Sequence, residues 1–145
     1  MAALEVACLL ARKSEGLALK VYRCPAGYPT IGYGHVVPSM DTPPITADIA
    51  EAMLKLDMQK ALNQALALCP SLILESDNKQ AAIADFVFNL GAGRLKSSTL
   101  RKKINERDWL AASMELTRWV HGGGKRLPGL VARRAAEIEL ILKRS

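Results

Sequence analysis

Most of the chain alternates hydrophobic and polar positions with the period of an α-helix. Residues 2–12 combine high helix propensity with an apolar stripe, and the helix that they predict ends near Gly16. A longer pattern begins at Thr46, a favourable N-cap, and continues without a helix breaker to Leu68, before Pro70. At about 1.5 Å per residue this helix would be about 33 Å long, so we expect it to connect two lobes of a small protein.

The C-terminal half predicts four shorter helices. The first is expected to start at Ser76 or Asp77 and to end at Asn89-Leu90-Gly91, and the second to run from Ser97 or Ser98 to Asn105. The third is expected from Asp108 to Trp119, and the fourth from a residue just after Pro128-Gly129 to about Lys143. Three consecutive glycines at 122–124 predict a flexible loop before the last helix.

One early segment departs from the helical period. Residues 17–23 alternate apolar and polar side chains, which is typical of a strand. A turn rich in Pro and Gly follows, and residues 30–33 can return as a second strand before a loop at 36–45. The strands are thus expected in a single early hairpin. The predicted fold class is α+β, mostly α, with one domain over residues 1–145.

The charge of the chain is unevenly distributed. The net charge is +6, but residues 94–145 carry 13 Lys and Arg against 5 Asp and Glu, whereas residues 1–93 carry 7 against 9. A basic C-terminal third favours an anionic partner, and nucleic acid, a membrane surface and an anionic cell-wall polymer all meet that requirement.

The three cysteines, Cys8, Cys24 and Cys69, form no CxxC pair, and no histidine is spaced for zinc, so we expect neither a metal site nor a cofactor. An odd number of cysteines argues against a disulfide scaffold and favours reduced thiols in a cytoplasm. No apolar run is long enough for a membrane span or a signal peptide, so we expect no stable membrane insertion and no export signal.

The stretch at 14–37 holds the candidate chemistry. Glu15 is followed after eight residues by Cys24, and Cys24 after five residues by Thr30. The stretch closes on the Gly-rich sequence Thr30-Ile31-Gly32-Tyr33-Gly34-His35, where the glycines leave room for close approach of a backbone or a ligand. A carboxylic acid, a thiol and a hydroxyl at this spacing indicate a site.

With these residues the chain resembles the phage-type lysozymes, the endolysins of glycoside hydrolase family 24. The family's site pattern is Glu, eight residues, Asp or Cys, five residues, Thr, followed by a Gly-rich turn similar to Ile31–His35. Later landmarks of the family also occur in order: Phe88-Asn89-Leu90-Gly91, Ser98-Thr99-Leu100, Arg118-Trp119, and Leu127-Pro128-Gly129-Leu130 with Arg133-Arg134. The resemblance covers nearly the whole chain.

The resemblance implies a lysozyme-like fold of two lobes with a cleft between them. A small β-hairpin lobe at about 14–45 would be joined by a connecting helix at about 46–68 to a helical lobe at about 70–145, on which the N-terminal helix packs. The implied reaction is hydrolysis, with inversion, of the β-1,4 bond between N-acetylmuramic acid and N-acetylglucosamine in peptidoglycan. A monomer would remain in the host cytoplasm until a holin releases it to act on the cell wall in the periplasm, causing lysis.

The resemblance also implies roles for the site residues. Glu15 would be the general acid, and Thr30 would hold the attacking water. Cys24 stands where many relatives carry Asp, and three roles stay open for it: base, nucleophile or positioning group. A base would require a thiolate, which an ordinary cysteine with a pKa of about 8.5 reaches only with help from its surroundings.

Five further residues are expected around this centre. Asn89 and Tyr33 would line the substrate cleft. His35 would be structural, in an ion pair with Asp57 on the long helix. Either Arg133 or Arg134 would approach Glu15, and the sequence leaves both possible.

Three other functions compete with the muramidase. A lytic transglycosylase can work with one Glu and no Asp, but the spacing to Thr30 argues against it. A cell-wall binding protein without turnover is disfavoured because Glu15 and Thr30 are both intact. A nucleic-acid binder ranks last, since the chain lacks a helix-turn-helix or an aromatic stacking signature.

Overall fold

A long central helix organises the fold. The computed structural model describes residues 1–143, and in it the predicted connector is helix α2, Ala47–Leu68, which Thr46 caps by accepting a hydrogen bond from the amide of Ile49. The other helices are α1 (Ala3–Glu15), a short 3-10 helix (Pro70–Leu74), α3 (Asp77–Leu90), α4 (Ala92–Lys96), α5 (Thr99–Asn105), α6 (Trp109–Leu116) and α7 (Pro128–Leu142). None of the helices within residues 1–143 combines the length and hydropathy needed to cross a membrane.

The small lobe is an antiparallel sheet of three short strands. Strands β1 (Ala18–Arg23), β2 (Pro29–Gly32) and β3 (His35–Val36) lie side by side in that order, with Tyr22 opposite Thr30 and Ile31 opposite His35. The two predicted strands are present, and the third was missed because it contains only two residues directly after a tight turn.

The helical lobe is built around α3. Seven consecutive residues of α3, Ala81–Val87, are buried, because α1, α2 and α7 all pack against this helix. Three of the seven are alanine, whose small side chain lets the surrounding helices approach closely. Asp85 is the exception, a carboxylate with no exposed surface in the middle of the core.

The hydrogen-bonding caps largely fix where the C-terminal helices begin. Of the alternatives that the sequence left open, Ser76 caps α3 and Ser98 caps α5, each through its side-chain oxygen, and Asp108 caps α6 as predicted. The last helix begins at Pro128 itself, because proline fits the first turn, where its missing N–H has no partner to lose.

The expectation of a single early hairpin is wrong. A second hairpin pairs β4 (His121–Gly122) with β5 (Lys125–Arg126) where a flexible loop was predicted. Gly123 and Gly124 have positive φ values of 58° and 79°, the conformation that a two-residue hairpin turn requires. Helix α4 was also missed, and α6 ends at Leu116 rather than Trp119, because neither short segment carries a strong stop or start signal.

Candidate active site

Glu15 is the last residue of α1, and the chain turns away at Gly16, which has a positive φ of 71°. Its side chain is 22% exposed and is held from two sides. The guanidinium of Arg133, on α7, donates a hydrogen bond from Nη1 to Oε2. On the other side stands the backbone of Gly34, where an added β-carbon would lie 2.9 Å from Oε1. The carboxyl is therefore fixed between the small lobe and the helical lobe.

Arg133 is in turn fixed by a buried carboxylate. Its Nε and Nη2 donate to the two oxygens of Asp85 at 2.9 and 2.8 Å, a bidentate pair in which Arg133 is 4% exposed and Asp85 fully buried. The structure thus selects Arg133 over Arg134 as the partner of Glu15. Sequence reasoning missed Asp85, although an aspartate inside an apolar helical run is a signal that could have found it.

Arg134, one position further on, serves a different residue. Its Nη2 donates to Oδ1 of Asn89 at 2.7 Å and to Oε2 of Glu137 at 3.0 Å. Because a guanidinium can only donate, the oxygen of the Asn89 amide must face Arg134, and its NH₂ group is turned the other way. The predicted substrate contact of Asn89 is then limited to donating a hydrogen bond.

Cys24 lies directly after β1 in the tight turn to β2. Its amide donates to the carbonyl of Tyr28 at 3.0 Å, and its carbonyl accepts from the amide of Gly27 at 2.8 Å. Desolvation raises the pKa of the Cys24 thiol, but hydrogen bonds from the backbone of Tyr28, Ala26 and Gly27 and from the Thr30 side chain outweigh it, so the pKa is lowered. The turn therefore favours the thiolate.

Thr30 lies on β2 with 2% of its surface exposed, beside this thiol. Its hydroxyl donates to the carbonyl of Tyr28 at 2.9 Å. A hydroxyl has one hydrogen, so it can serve either that carbonyl or the Cys24 sulfur at a given moment. Its lone pairs stay available for another donor.

Tyr22 lies close enough to both Glu15 and Cys24 to be affected by their charges. The pKa of its phenol is raised first by burial and then by the negative charges of Glu15 and Cys24, so all three groups share one electrostatic environment. Sequence reasoning did not single out Tyr22, which lies in the alternating segment 17–23 that predicted an ordinary strand. Its position opposite Thr30 on the neighbouring strand places it among the predicted site residues.

The Gly-rich turn that follows is tied to α2 on both sides of Gly34. Burial and then the nearby Glu51 carboxylate raise the pKa of the Tyr33 phenol, and Glu51 itself accepts two short hydrogen bonds from Arg12. Nδ1 of His35 lies 2.6 Å from Oδ2 of Asp57, so the structure brings together the pair expected from the sequence. These anchors hold the Gly34 backbone against Glu15. Contact of Tyr33 with substrate stays a prediction.

A cavity of about 380 Å³ lies between the small lobe and the helical lobe. Its lining includes Gly34, His35 and Val36 from the small lobe, Asp57 and Lys60 from α2, and Phe88 and Gly91 from the end of α3. Glu15 is not part of this lining, but it lies directly against Gly34, which is, and the Arg133 guanidinium that holds Glu15 lies 5.8 Å from the centre of the Phe88 ring. A fixed carboxyl close to a cleft between two lobes supplies one of the two groups that a glycosidase uses, the general acid.

Comparison with known proteins supports the same interpretation. A family model described as phage lysozyme matches residues 12–137, a span that contains Glu15, Cys24 and Thr30. The chain belongs to the phage lysozyme family. Family membership confirms the predicted resemblance and the helix-dominated lysozyme-like fold.

Individual relatives agree with the family. An endolysin of Acyrthosiphon pisum secondary endosymbiont phage 1 is 39% identical over 137 residues, which cover 92% of each chain. The muramidase domain of SpmX from Asticaccaulis excentricus superposes with a TM-score of 0.84 at 27% identity, covering 95% of both chains. The active form of the P1 phage endolysin Lyz also gives a TM-score of 0.84, at 23% identity, over 95% of this chain and 83% of that one, which supports the fold alone.

These findings confirm the functional prediction at the level of the family. The protein is a lysozyme-type glycoside hydrolase, an endolysin that lyses bacterial peptidoglycan. Neither a lytic transglycosylase nor a non-catalytic wall-binding protein is favoured.

Proposed function

We propose that the protein cleaves the β-1,4 bond between N-acetylmuramic acid and N-acetylglucosamine with Glu15 as general acid. The observation that carries the proposal is the position of one carboxyl, which is held between Arg133 and Gly34, a residue that lines the cleft between the lobes. A fixed carboxyl can protonate the leaving oxygen of a sugar bound across that cleft. Positioning of this kind is a major source of rate in enzymes.

We further propose that Cys24, as a thiolate, accepts a proton from the attacking water, with Thr30 orienting that water. The hydrogen bonds that lower the pKa of Cys24 favour its thiolate relative to an ordinary cysteine, and the lone pairs of the Thr30 hydroxyl can accept a hydrogen bond from the same water. Attack by water from the side opposite the leaving group inverts the anomeric carbon. A Cys24 nucleophile would instead give retention.

Asn89 and Arg134 support the substrate in this proposal. Since Arg134 fixes the amide oxygen, the NH₂ of Asn89 can donate to an acceptor such as an acetamido carbonyl of the sugar. The excess of basic residues after position 93 would attract the anionic wall. We expect a monomer that stays in the host cytoplasm until a holin allows it to reach the wall, and light scattering of the purified protein tests the monomer.

The first experiment is mass spectrometry of fragments released from purified peptidoglycan. Wild type is compared with Glu15→Gln and with Glu5→Gln, an exposed position on the same helix that serves as the matched control. We expect reducing ends carrying one added water from wild type and Glu5→Gln, and a loss of at least about 100-fold in Glu15→Gln, within the usual contribution of a general acid. Anhydro-muramic ends would mean transglycosylation, and full activity of Glu15→Gln would refute its role.

A second experiment separates the roles of Cys24. The anomer formed first, followed by NMR, is the α form if water attacks directly and the β form if a covalent intermediate on sulfur is hydrolysed. We expect the α anomer, a large loss in Cys24→Ser, and substantial activity in Cys24→Asp with the basic group titrating at lower pH. If Cys24→Ser kept full activity, Cys24 would be neither base nor nucleophile, and only a positioning role would remain for it.

A further inference from the structure

The face of α2 that lines the cleft carries two polar side chains to which the proposed mechanism gives no part. Asp57, Lys60, Ala61 and Gln64 all line the cavity between the lobes. They recur at intervals of three and four residues, which places them on one face of the helix. The site described above accounts for Asp57, the partner of His35, but not for Lys60 or Gln64.

Within residues 1–143, neither Lys60 nor Gln64 is bound to another side chain. The Asp57 carboxylate lies one turn before Lys60, but it bonds to Nδ1 of His35 at 2.6 Å. The ammonium of Lys60 is in no ion pair within this part of the chain. The amide of Gln64 makes no hydrogen bond there either. Both polar groups are therefore available to a ligand in the cleft.

The neighbouring residues of α2 show that side chains at this spacing can satisfy each other. Gln59 and Asn63 are also four residues apart, and Nε2 of Gln59 donates to Oδ1 of Asn63 at 2.9 Å. These two residues line a second cavity, of about 540 Å³, which Lys60 and Gln64 also border. Lys60 and Gln64 thus lie between that cavity and the cleft, and they differ from their neighbours in having no partner within residues 1–143.

The chemistry of the two groups suits a carboxylate. An ammonium supplies a positive charge and three donors, and an amide supplies two donors and one acceptor oxygen. Side chains four residues apart on a helix have β-carbons about 5–6 Å apart, so both groups can reach the same ligand atom. The rest of the cleft includes the apolar side chains of Val36, Phe88 and Ala92, which suit the faces of sugar rings.

We propose that Lys60 and Gln64 bind a carboxylate of the stem peptide that N-acetylmuramic acid carries. This inference rests on the proposed cleavage of the glycan strand in this cleft. A strand that lies between the lobes brings its stem peptides to the walls of the cleft, and the wall formed by α2 offers a charge and an amide. The pair contacts a substituent away from the reacting bond, so it acts on binding of the substrate more than on the chemical step.

The test measures hydrolysis of soluble glycan strands whose stem peptides are intact. Lys60→Met removes the charge, Lys60→Arg keeps it, and Lys55→Met makes the same change at an exposed lysine of α2 outside the lining of the cavity. We expect Lys60→Met to raise KM about fivefold with kcat within about twofold of wild type, the upper range for an exposed ion pair. Lys60→Arg and Lys55→Met should match wild type. Equal KM values in Lys60→Met and Lys55→Met would overturn the proposal.

Two further comparisons identify the group that is bound. On strands whose stem carboxylates have been amidated, the KM of wild type should rise to that of Lys60→Met, and a difference that persisted would show that Lys60 does not bind this carboxylate. Gln64→Glu places a carboxylate beside Lys60, which pairs with the ammonium and repels the ligand, so its KM should rise as in Lys60→Met. An unchanged KM in Gln64→Glu would contradict the assignment.

Calorimetry with a released disaccharide-peptide gives a second readout without turnover. This fragment, N-acetylglucosamine linked to N-acetylmuramic acid with its stem peptide, lacks the bond that the enzyme is proposed to cleave. Lys60→Met should bind it about fivefold more weakly than wild type, and equal affinities would overturn the proposal. If the affinities differ as expected while Glu15→Gln keeps full activity, the general-acid role has failed and the carboxylate subsite stands.

Discussion

Replacement of Gly34 by alanine should separate catalysis from stability. Gly34 has a positive φ of 76°, and an added β-carbon would lie 2.9 Å from Oε1 and 3.1 Å from Cδ of Glu15. Arg133 holds the other oxygen, so the carboxyl cannot keep both its hydrogen bond and its position. The substitution therefore acts on the general acid without changing its chemistry.

Two costs are expected, and they differ in kind. A residue with a β-carbon in left-handed backbone loses about 1–2 kcal/mol, which lowers the Tm of a protein of this size by roughly 3–8 °C. Relieving the contact with Glu15 displaces its carboxyl by up to about 1 Å, and a misplacement of that size can reduce kcat by about 100-fold.

Gly124 provides the matched control. It has a φ of 79°, and an added β-carbon there would meet no atom within 4 Å. Gly124→Ala should lose a similar amount of Tm in thermal unfolding while its kcat on purified peptidoglycan stays within about twofold of wild type, because the backbone cost alone does not reach the site. If Gly34→Ala lost only stability, with kcat equal to that of Gly124→Ala, the inferred clamp on Glu15 would be incorrect.

Three further predictions follow from the charges and thiols. Iodoacetamide at pH 8 should alkylate Cys24 well before Cys69, since hydrogen bonds lower the pKa of Cys24 and burial raises that of Cys69 to about 11; equal rates by peptide mass spectrometry would contradict this. Because burial raises the pKa of Glu137, this group stabilises the fold at pH values below the usual Glu range, and the stabilisation is lost as pH rises through the raised value, at up to about 1.4 kcal/mol per pH unit. The free energy of urea unfolding should therefore depend less on pH in Glu137→Gln than in wild type, and an equal pH dependence of the two would contradict the prediction. Asp57→Asn should lower the free energy of unfolding by about 0.5–1 kcal/mol at low salt, because the Asp57–His35 pair is about one-third exposed. If 1 M salt left this loss of stability unchanged, the ion pair would not be its cause.

The positions of most elements could be predicted from local signals. Helix α2 was found because a helical pattern runs without a breaker from the capping Thr46, and the cap is present. The second hairpin was not found, because its glycines carry no apolar alternation and their positive φ values follow from the turn that they form. A short strand depends on its partner more than on its own side chains.

Some residues of the site could likewise be predicted from local signals, and others could not. Glu15, Cys24 and Thr30 could be named because their spacing along the chain is itself the signal. Arg133 and Arg134 could not be separated, since adjacent residues of a helix point about 100° apart, and which of them meets Glu15 depends on how α7 packs against α1 and α3.

By itself, the sequence determined most of the helices, the caps of α2 and α6, and the motif that identifies a phage lysozyme, because these depend on backbone periodicity and on hydrogen bonds between near neighbours. Only the tertiary structure decided that Asp85 holds Arg133, that Gly34 stands against Glu15, and that Glu137 lies buried behind them. The two ion pairs of Arg133, with Asp85 and with Glu15, join residues 48 and 118 positions apart, and ion pairs over such separations form where helix faces meet. No local sequence pattern predicts which helix faces come into contact.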